Sequence, residues 1–213
     1  MKQHDVILQK GSFYHIYNRG INGANLFYEE RNYGYFLQKY AFYMCDVVDT
    51  YAYCLLKNHF HLLIRVKENL VAANTEPSGF KNTLGLKNGL HTPEHIISKK
   101  LSDLFNSYSK SINKAQNRTG GLFETPFKRI LVNDDTYLNR LVWYIHSNPQ
   151  KHGFVADFKD YPHSSYHSLL SQKPTKLAKQ QAIGLFGNQD AYIQFHTIKQ
   201  TESNFSHLVI EFD

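Results

Sequence analysis

Along the chain, apolar and polar positions fall into two periods, and these predict the elements. Residues 12–18, SFYHIYN, alternate and are rich in β-formers, which predicts a strand. Arg19-Gly20 and Asn22-Gly23 mark a loop after it. From Glu29 the period lengthens. Tyr33, Phe36, Leu37, Tyr40, Ala41 and Met44 recur at steps of three and four, as on one face of a helix. Residues 47–56, VVDTYAYCLL, and 59–66, HFHLLIRV, then read as a hairpin turning at Lys57-Asn58.

Periodicity lapses over 67–92, read as a long exposed excursion. A second helix opens at Thr92-Pro93-Glu94, with Thr92 as N-cap and Pro93 in the first helical position. Its apolar stripe is Ile97, Leu101, Leu104, Phe105, Tyr108 and Ile112, and Gly120-Gly121 stop it. Residues 122–132, LFETPFKRILV, predict a strand that Pro126 confines to an edge or a bulge. Asn133-Asp134-Asp135 is expected to cap a third helix reaching Ser147, with Leu138, Leu141, Val142 and Ile145 as its buried face. Pro149 disfavours helical geometry at Asn148, so the helix is expected to end there. A basic loop, the segment YPHSSYHSLL and a short helical tail follow. The order β-α-β-β-α-β predicts an α+β, ferredoxin-like antiparallel sheet with helices packed on one face, plus a C-terminal helical extension. The expected division is a main domain over 1–155 and the extension over 156–213.

Composition narrows the class. A chain of 213 residues is long enough for one core without staples. It has no apolar run long enough for a membrane span. The start, MKQHDVILQKG, lacks the apolar stretch of a signal peptide, so a cytoplasmic location is expected. Cys45 and Cys54 cannot build a disulfide framework and are expected as buried free thiols. A net charge of +6 and a pI near 9.1 favour a polyanionic partner. Fifteen Tyr and fifteen Phe exceed what chemistry needs; most belong to the core, and some can stack on unpaired bases.

Histidine motifs are cheap here, since twelve histidines in 213 residues supply about 0.7 His-x-His pairs by chance. On a strand, His59 and His61 nevertheless face the same way, and Phe60, Leu62, Ile64 and Val66 face the other. Both imidazoles can therefore converge on one cation. The rival is His91-Thr92-Pro93-Glu94-His95, which matches the H-x-x-E-H zinc-protease pattern. Pro93 at the helix start leaves His91 outside the helix, so the two histidines do not share a helical face. His163 and His167 lie in a Pro/Ser-rich segment and read as surface or local packing.

The third helix adds different chemistry. Tyr144 falls at the polar border of its apolar stripe, and Asn148 is one turn on, about 6 Å along the axis on nearly the same face. Arg140 is one turn back. A phenol, a neutral oxygen ligand and a guanidinium on one stripe suit phosphodiester chemistry; an amphipathic tyrosine with a capping asparagine explains the same residues without it.

The segments NHFHLLIRV (58–66), LFNSYSKSINK (104–114), GLFETPFKRILV (121–132), YLNRLVWYIHSNPQKHGFV (137–155) and YPHSSYHSLL (161–170) occur in that order. Together they resemble the single-tyrosine HUH transposases, in the REP-associated tyrosine transposase branch related to small insertion-sequence transposases. The resemblance covers residues 10–170 and extends more loosely to GLFGNQDAYIQF. One departure is Lys57, where relatives often carry Pro.

The resemblance implies a metal-dependent endonuclease that cleaves and rejoins single-stranded or hairpin DNA through a 5′-phosphotyrosine. By position, Tyr144 matches the nucleophile, and His59, His61 and Asn148 match the ligands of a divalent ion, Mg²⁺ or Mn²⁺, although two imidazoles also suit zinc. Tyr137, the competing phenol, lies about 16 Å along the axis from Asn148, too far to share one phosphate. Arg140 is the candidate cation beside the nucleophile, and Lys110, Lys114, Arg118, Lys128 and Arg129 are candidate phosphate contacts. Relatives act as monomers or homodimers. Three rivals remain: a domesticated HUH nuclease that processes chromosomal repeats, a non-catalytic nucleic-acid-binding module on the same fold, and a zinc hydrolase built on His91 and His95.

Overall fold

Alternation gives β3 (His59–Val66) two unlike faces. In the computed structural model, which describes residues 6–70, 93–134 and 137–198, Phe60, Leu62, Ile64 and Val66 enter one apolar cluster, while Leu63 belongs to a second. His59 and His61 share the Leu63 face. β3 lies inside a four-stranded sheet with β1 (Phe13–Arg19), β2 (Val48–Leu56) and β4 (Lys128–Val132), in the order β2-β3-β1-β4. Every neighbouring pair is antiparallel, which is the ferredoxin-like arrangement expected.

The first face is covered by α1 (Glu30–Met44) and α2 (Pro93–Ala115). A reciprocal capping box starts α1: the Asn32 side chain accepts from the backbone N–H of Glu29 at 2.9 Å, and the Glu29 side chain accepts from Asn32. The expected stripe of α2, from Ile97 to Ile112, is buried. Tyr108 is fully buried because its hydroxyl donates to the Leu26 carbonyl at 2.9 Å, leaving the ring free to pack edge-on against Phe36.

The second face is covered by α3 (Leu138–Lys151) and the shorter helices α4 (Tyr166–Leu170), α5 (Lys179–Gly184) and α6 (Gln189–Thr197). Leu138, Leu141, Val142 and Ile145 pack with Ala52, Cys54, Leu56 and Leu63 of the sheet, and with Tyr161, Tyr166, Leu169, Ala182 and Tyr192 from beyond residue 155. The C-terminal extension thus completes the core of this face.

Four local expectations are corrected. Helix α3 does not stop at Ser147 but runs through Pro149 to Lys151. Proline removes one N–H, and the His152 N–H still closes the next turn on the Asn148 carbonyl at 2.9 Å. At its other end the N-cap is Tyr137, without side-chain capping, and the chain turns by a Tyr137 N–H bond to the Asp134 carbonyl at 3.0 Å. The strand expected over 122–132 is regular only from Lys128, since Pro126 cannot donate to a ladder; Phe123 makes one isolated bridge to Gly20. Cys54 is buried as expected, whereas Cys45, just past the end of α1, is exposed. Residues 71–92, most of the excursion and including His91 and Thr92, lie outside the described residues, as does Asp135. Among the described residues no helix is long and apolar enough to cross a membrane.

Candidate active site

Strand register assembles the site before any helix is added. One row crosses all four strands: Lys128 of β4 opposite Tyr17 of β1, Tyr17 opposite His61, and His61 opposite Cys54 of β2. The neighbouring row on the same face pairs Arg19 with His59. His15 sits diagonally to His61, and their ring nitrogens, His15 Nε2 and His61 Nδ1, are 3.0 Å apart. The Lys57-Asn58 turn holds the start of β3. The Gly20 N–H donates to the Asn58 carbonyl at 2.8 Å, and a Cβ at Gly20 would collide with the backbone carbonyl of Ala24.

His59 has a defined proton position. Its Nδ1 lies 2.8 Å from Asn58 Oδ1, which can only accept, so the proton is on Nδ1 and the lone pair on Nε2. Burial, with the charges of His152 and Arg19, pushes its pKa down to about 3, so the ring is neutral. His61 is likewise held well below the usual histidine range, first by burial and then by His15, His59, His152 and Lys151. Two neutral imidazoles with rings 5.3 Å apart can ligate a metal without first losing a proton.

Helix α3 lies over these rings. The Tyr144 ring is 5.7 Å from that of His61 and 6.1 Å from that of His15, edge-on to both. Tyr144 and Asn148 were expected at a polar border, yet both are fully buried, because α3 is enclosed between the sheet and the C-terminal helices. The Asn148 amide Nδ2 donates to the Tyr144 carbonyl at 2.7 Å, folding the side chain back along the helix. Its Oδ1 is buried with no hydrogen-bond partner among the described residues. An orphaned amide oxygen of this kind fits a hard cation. Among the described residues no three His, Cys, Asp or Glu side chains are grouped to hold a metal, so a metal here depends on Asn148 joining the two histidines.

The last turn of α3 supplies the exposed part of the site. Lys151 carries its ammonium 5.5 Å over the Tyr144 ring, and the His152 ring is 5.0 Å from that of His59. Both are exposed, unlike the groups they adjoin. Sequence reasoning missed them because α3 was expected to end before them. It also missed His15 and Tyr17, although SFYHIYN carries the same i, i+2 pattern as HFH.

The other candidates are dispersed. Arg140 lies over the Tyr137 ring at 5.9 Å. Lys128 is on the histidine face of the sheet, but Arg129 is on the opposite face, where it donates to Ser98 of α2 at 2.9 Å. Lys110 and Lys114 are exposed on α2, and Arg118 donates to Asn113 at 3.1 Å just past it. Two other α2 lysines are ion-paired, Lys99 with Asp103 and Lys100 with Asp46. His95 is exposed near the start of α2. His167 bonds the Lys159 carbonyl, local packing as expected, whereas His163 stacks on Tyr33 of α1 at 3.5 Å, a contact between segments distant in the chain.

Comparison with known proteins adds family context. No protein-family model matches the chain. A curated protein of Haemophilus influenzae, named as a REP-associated tyrosine transposase, is 30% identical over 119 residues, covering 56% of this chain and 59% of that protein. The chain thus matches less than two thirds of the length of this curated relative. A solved structure of a REP-associated tyrosine transposase bound to a REP hairpin aligns with a TM-score of 0.57, over 84% of this chain and 92% of that one. At 16% identity it shows a shared fold.

Proposed function

We propose that this chain, a relative of the REP-associated tyrosine transposases in sequence and fold, cleaves and rejoins single-stranded or hairpin DNA with Tyr144 as nucleophile. The observation that carries the reading is the placement of the Tyr144 ring 5.7 Å from that of His61, with Asn148 one turn further along the same helix.

In the forward step the Tyr144 oxygen loses its proton and attacks a backbone phosphorus. A phosphotyrosine bond forms, the bond from phosphorus to the 3′ oxygen breaks, and that oxygen leaves as a hydroxyl after taking up a proton. Attack by a 3′ hydroxyl on the phosphotyrosine reverses the step, and since the bond energy is stored no nucleotide cofactor is needed. Phenols ionise near pH 10, so cationic surroundings help, and Lys151, with its ammonium 5.5 Å over the ring, is such a cation. His59, His61 and Asn148 would hold a divalent ion, Mg²⁺ or Mn²⁺. When bound, such an ion polarises a non-bridging phosphate oxygen and orients the phosphate. DNA approaches from the side of Lys151 and His152, the exposed neighbours of an otherwise buried set.

A second reading, a DNA-binding module without catalysis, draws on the complete burial of Tyr144. One experiment separates the two. The full chain is incubated with end-labelled hairpin DNA and Mn²⁺ and resolved on a denaturing gel. A covalent complex that disappears with Tyr144→Phe and with EDTA, while binding persists, supports strand transfer. Binding without adduct in the unaltered chain overturns it.

A further inference from the structure

Behind the candidate site runs a buried hydrogen-bond chain that the strand-transfer chemistry does not use. His196 Nδ1 lies 2.8 Å from the Tyr192 carbonyl, His196 Nε2 lies 3.0 Å from His146 Nδ1, and His146 Nε2 lies 2.7 Å from Ser165 Oγ. The Tyr53 N–H of β2 reaches the same hydroxyl at 2.9 Å. His146 and Ser165 are fully buried and His196 nearly so, and burial keeps both rings neutral.

The two ends dictate the direction of every bond. A carbonyl only accepts, so His196 donates from Nδ1 and its Nε2 is a bare acceptor. His146 must then donate from Nδ1, which leaves its Nε2 to accept from the Ser165 hydroxyl. Ser165 in turn accepts from the Tyr53 N–H. Four elements are thereby linked in one polarity: β2, the residue preceding α4, α3 and α6.

His146 is two residues from both Tyr144 and Asn148, about 200° round the helix, so it points away from the face they share. Resting on the strand-transfer reading, we infer that the Ser165–His146–His196 relay is a positioning device. By gripping the back of α3 it fixes the rotation and axial setting of the helix, and with them the places of Tyr144 and Asn148 over His59 and His61. His146, His196 and Ser165 touch no substrate; they act through α3. The C-terminal helices are accordingly part of the catalytic apparatus, although they carry none of its reacting groups.

The test uses the full chain and three variants. His196→Ala removes the link to α6. His196→Gln returns an acceptor oxygen close to the place of Nε2 and restores the bond from His146. Ser165→Ala breaks the other end and serves if His196→Ala does not fold. The expected result is a drop of about ten- to a hundredfold in the rate constant for adduct formation in His196→Ala, with the DNA dissociation constant unchanged and most of the rate recovered in His196→Gln. Emission from Trp143, the sole tryptophan, should shift in His196→Ala and revert in His196→Gln, whatever the chemistry does. Adduct formation at the wild-type rate in folded His196→Ala or Ser165→Ala overturns the inference alone. A loss that His196→Gln does not relieve also overturns it, as general destabilisation. Absence of any adduct from the unaltered chain overturns the strand-transfer reading, and this inference with it.

Discussion

His15 Nε2 and His61 Nδ1 lie 3.0 Å apart with both rings fully buried. One of the two nitrogens donates to the other, so the His61 ring is turned with its Nε2 edge away from His15. Outer partners of this kind set ring orientation in metal sites, and their loss typically costs ten- to a hundredfold in metal affinity. The proposed metal role gives His15→Ala a definite signature. The Mn²⁺ concentration for half-maximal adduct formation should rise about tenfold or more, with the plateau rate at saturating Mn²⁺ largely kept. A metal titration that superimposes on the wild type would remove His15 from the site.

The exposed lysines of α2 give a second, independent prediction. Lys99 and Lys100 are paired with Asp103 and Asp46, so Lys110 and Lys114 are the α2 candidates for phosphate contact, which would carry DNA beyond the histidine face. Each phosphate contact contributes about 0.7 to the logarithmic salt slope on single-stranded DNA. Replacing both by alanine should weaken hairpin binding and flatten the slope by about 1.4 if they meet the single-stranded part, or about 1.8 if they meet the duplex stem, as read by anisotropy over a salt series. An unchanged slope would mean that DNA lies elsewhere.

Acid should loosen the C-terminal helices through His196. Burial holds its pKa down to about 4, with Tyr192, His146 and Lys159 around it. The unfolded ring, with an ordinary pKa near 6.5, binds a proton more readily than the folded one. The contribution to stability is therefore complete above about pH 6.5 and is lost as pH falls toward about 4, at about 1.4 kcal/mol per pH unit. Urea unfolding free energies should fall between pH 7 and pH 4.5, with His59, His61 and His146 adding to the slope because burial lowers them too, and the His196 share should be missing in His196→Gln.

Phe60 separates stability from chemistry on one strand. It stands between His59 and His61 in sequence but packs on the opposite face, against Phe36 and Phe105. Phe60→Ala should cost about 3–5 kcal/mol in urea unfolding at an unchanged m-value. At a temperature where the variant is folded, the proposed Mn²⁺ dependence of adduct formation should stay near that of the wild type.

The elements legible in the sequence were those whose signals are local. Alternation in HFHLLIRV separates the histidine face from the Phe60 face, and the stripe from Ile97 to Ile112 marks the buried side of α2. What escaped depends on contacts distant in the chain. Residues 156–198 look like an appendix in sequence, yet Tyr161, Tyr166, Leu169 and Tyr192 close the core over β2 and α3. That enclosure is also why Tyr144 is buried rather than at a polar border. Pro149 reads as a stop because proline disfavours a helix locally; the packed setting of α3 overrides it. With the helix thought to end early, Lys151 and His152 had no place near Tyr144.

The continuity of α3 through Pro149 makes the helix a gauge. Tyr144 and Asn148 are set on one rod at a separation of about 6 Å along its axis. Neither can approach or retreat from the histidines without the other. The phenol and the amide oxygen proposed as nucleophile and ligand therefore engage or disengage together, as two teeth cut on a single key.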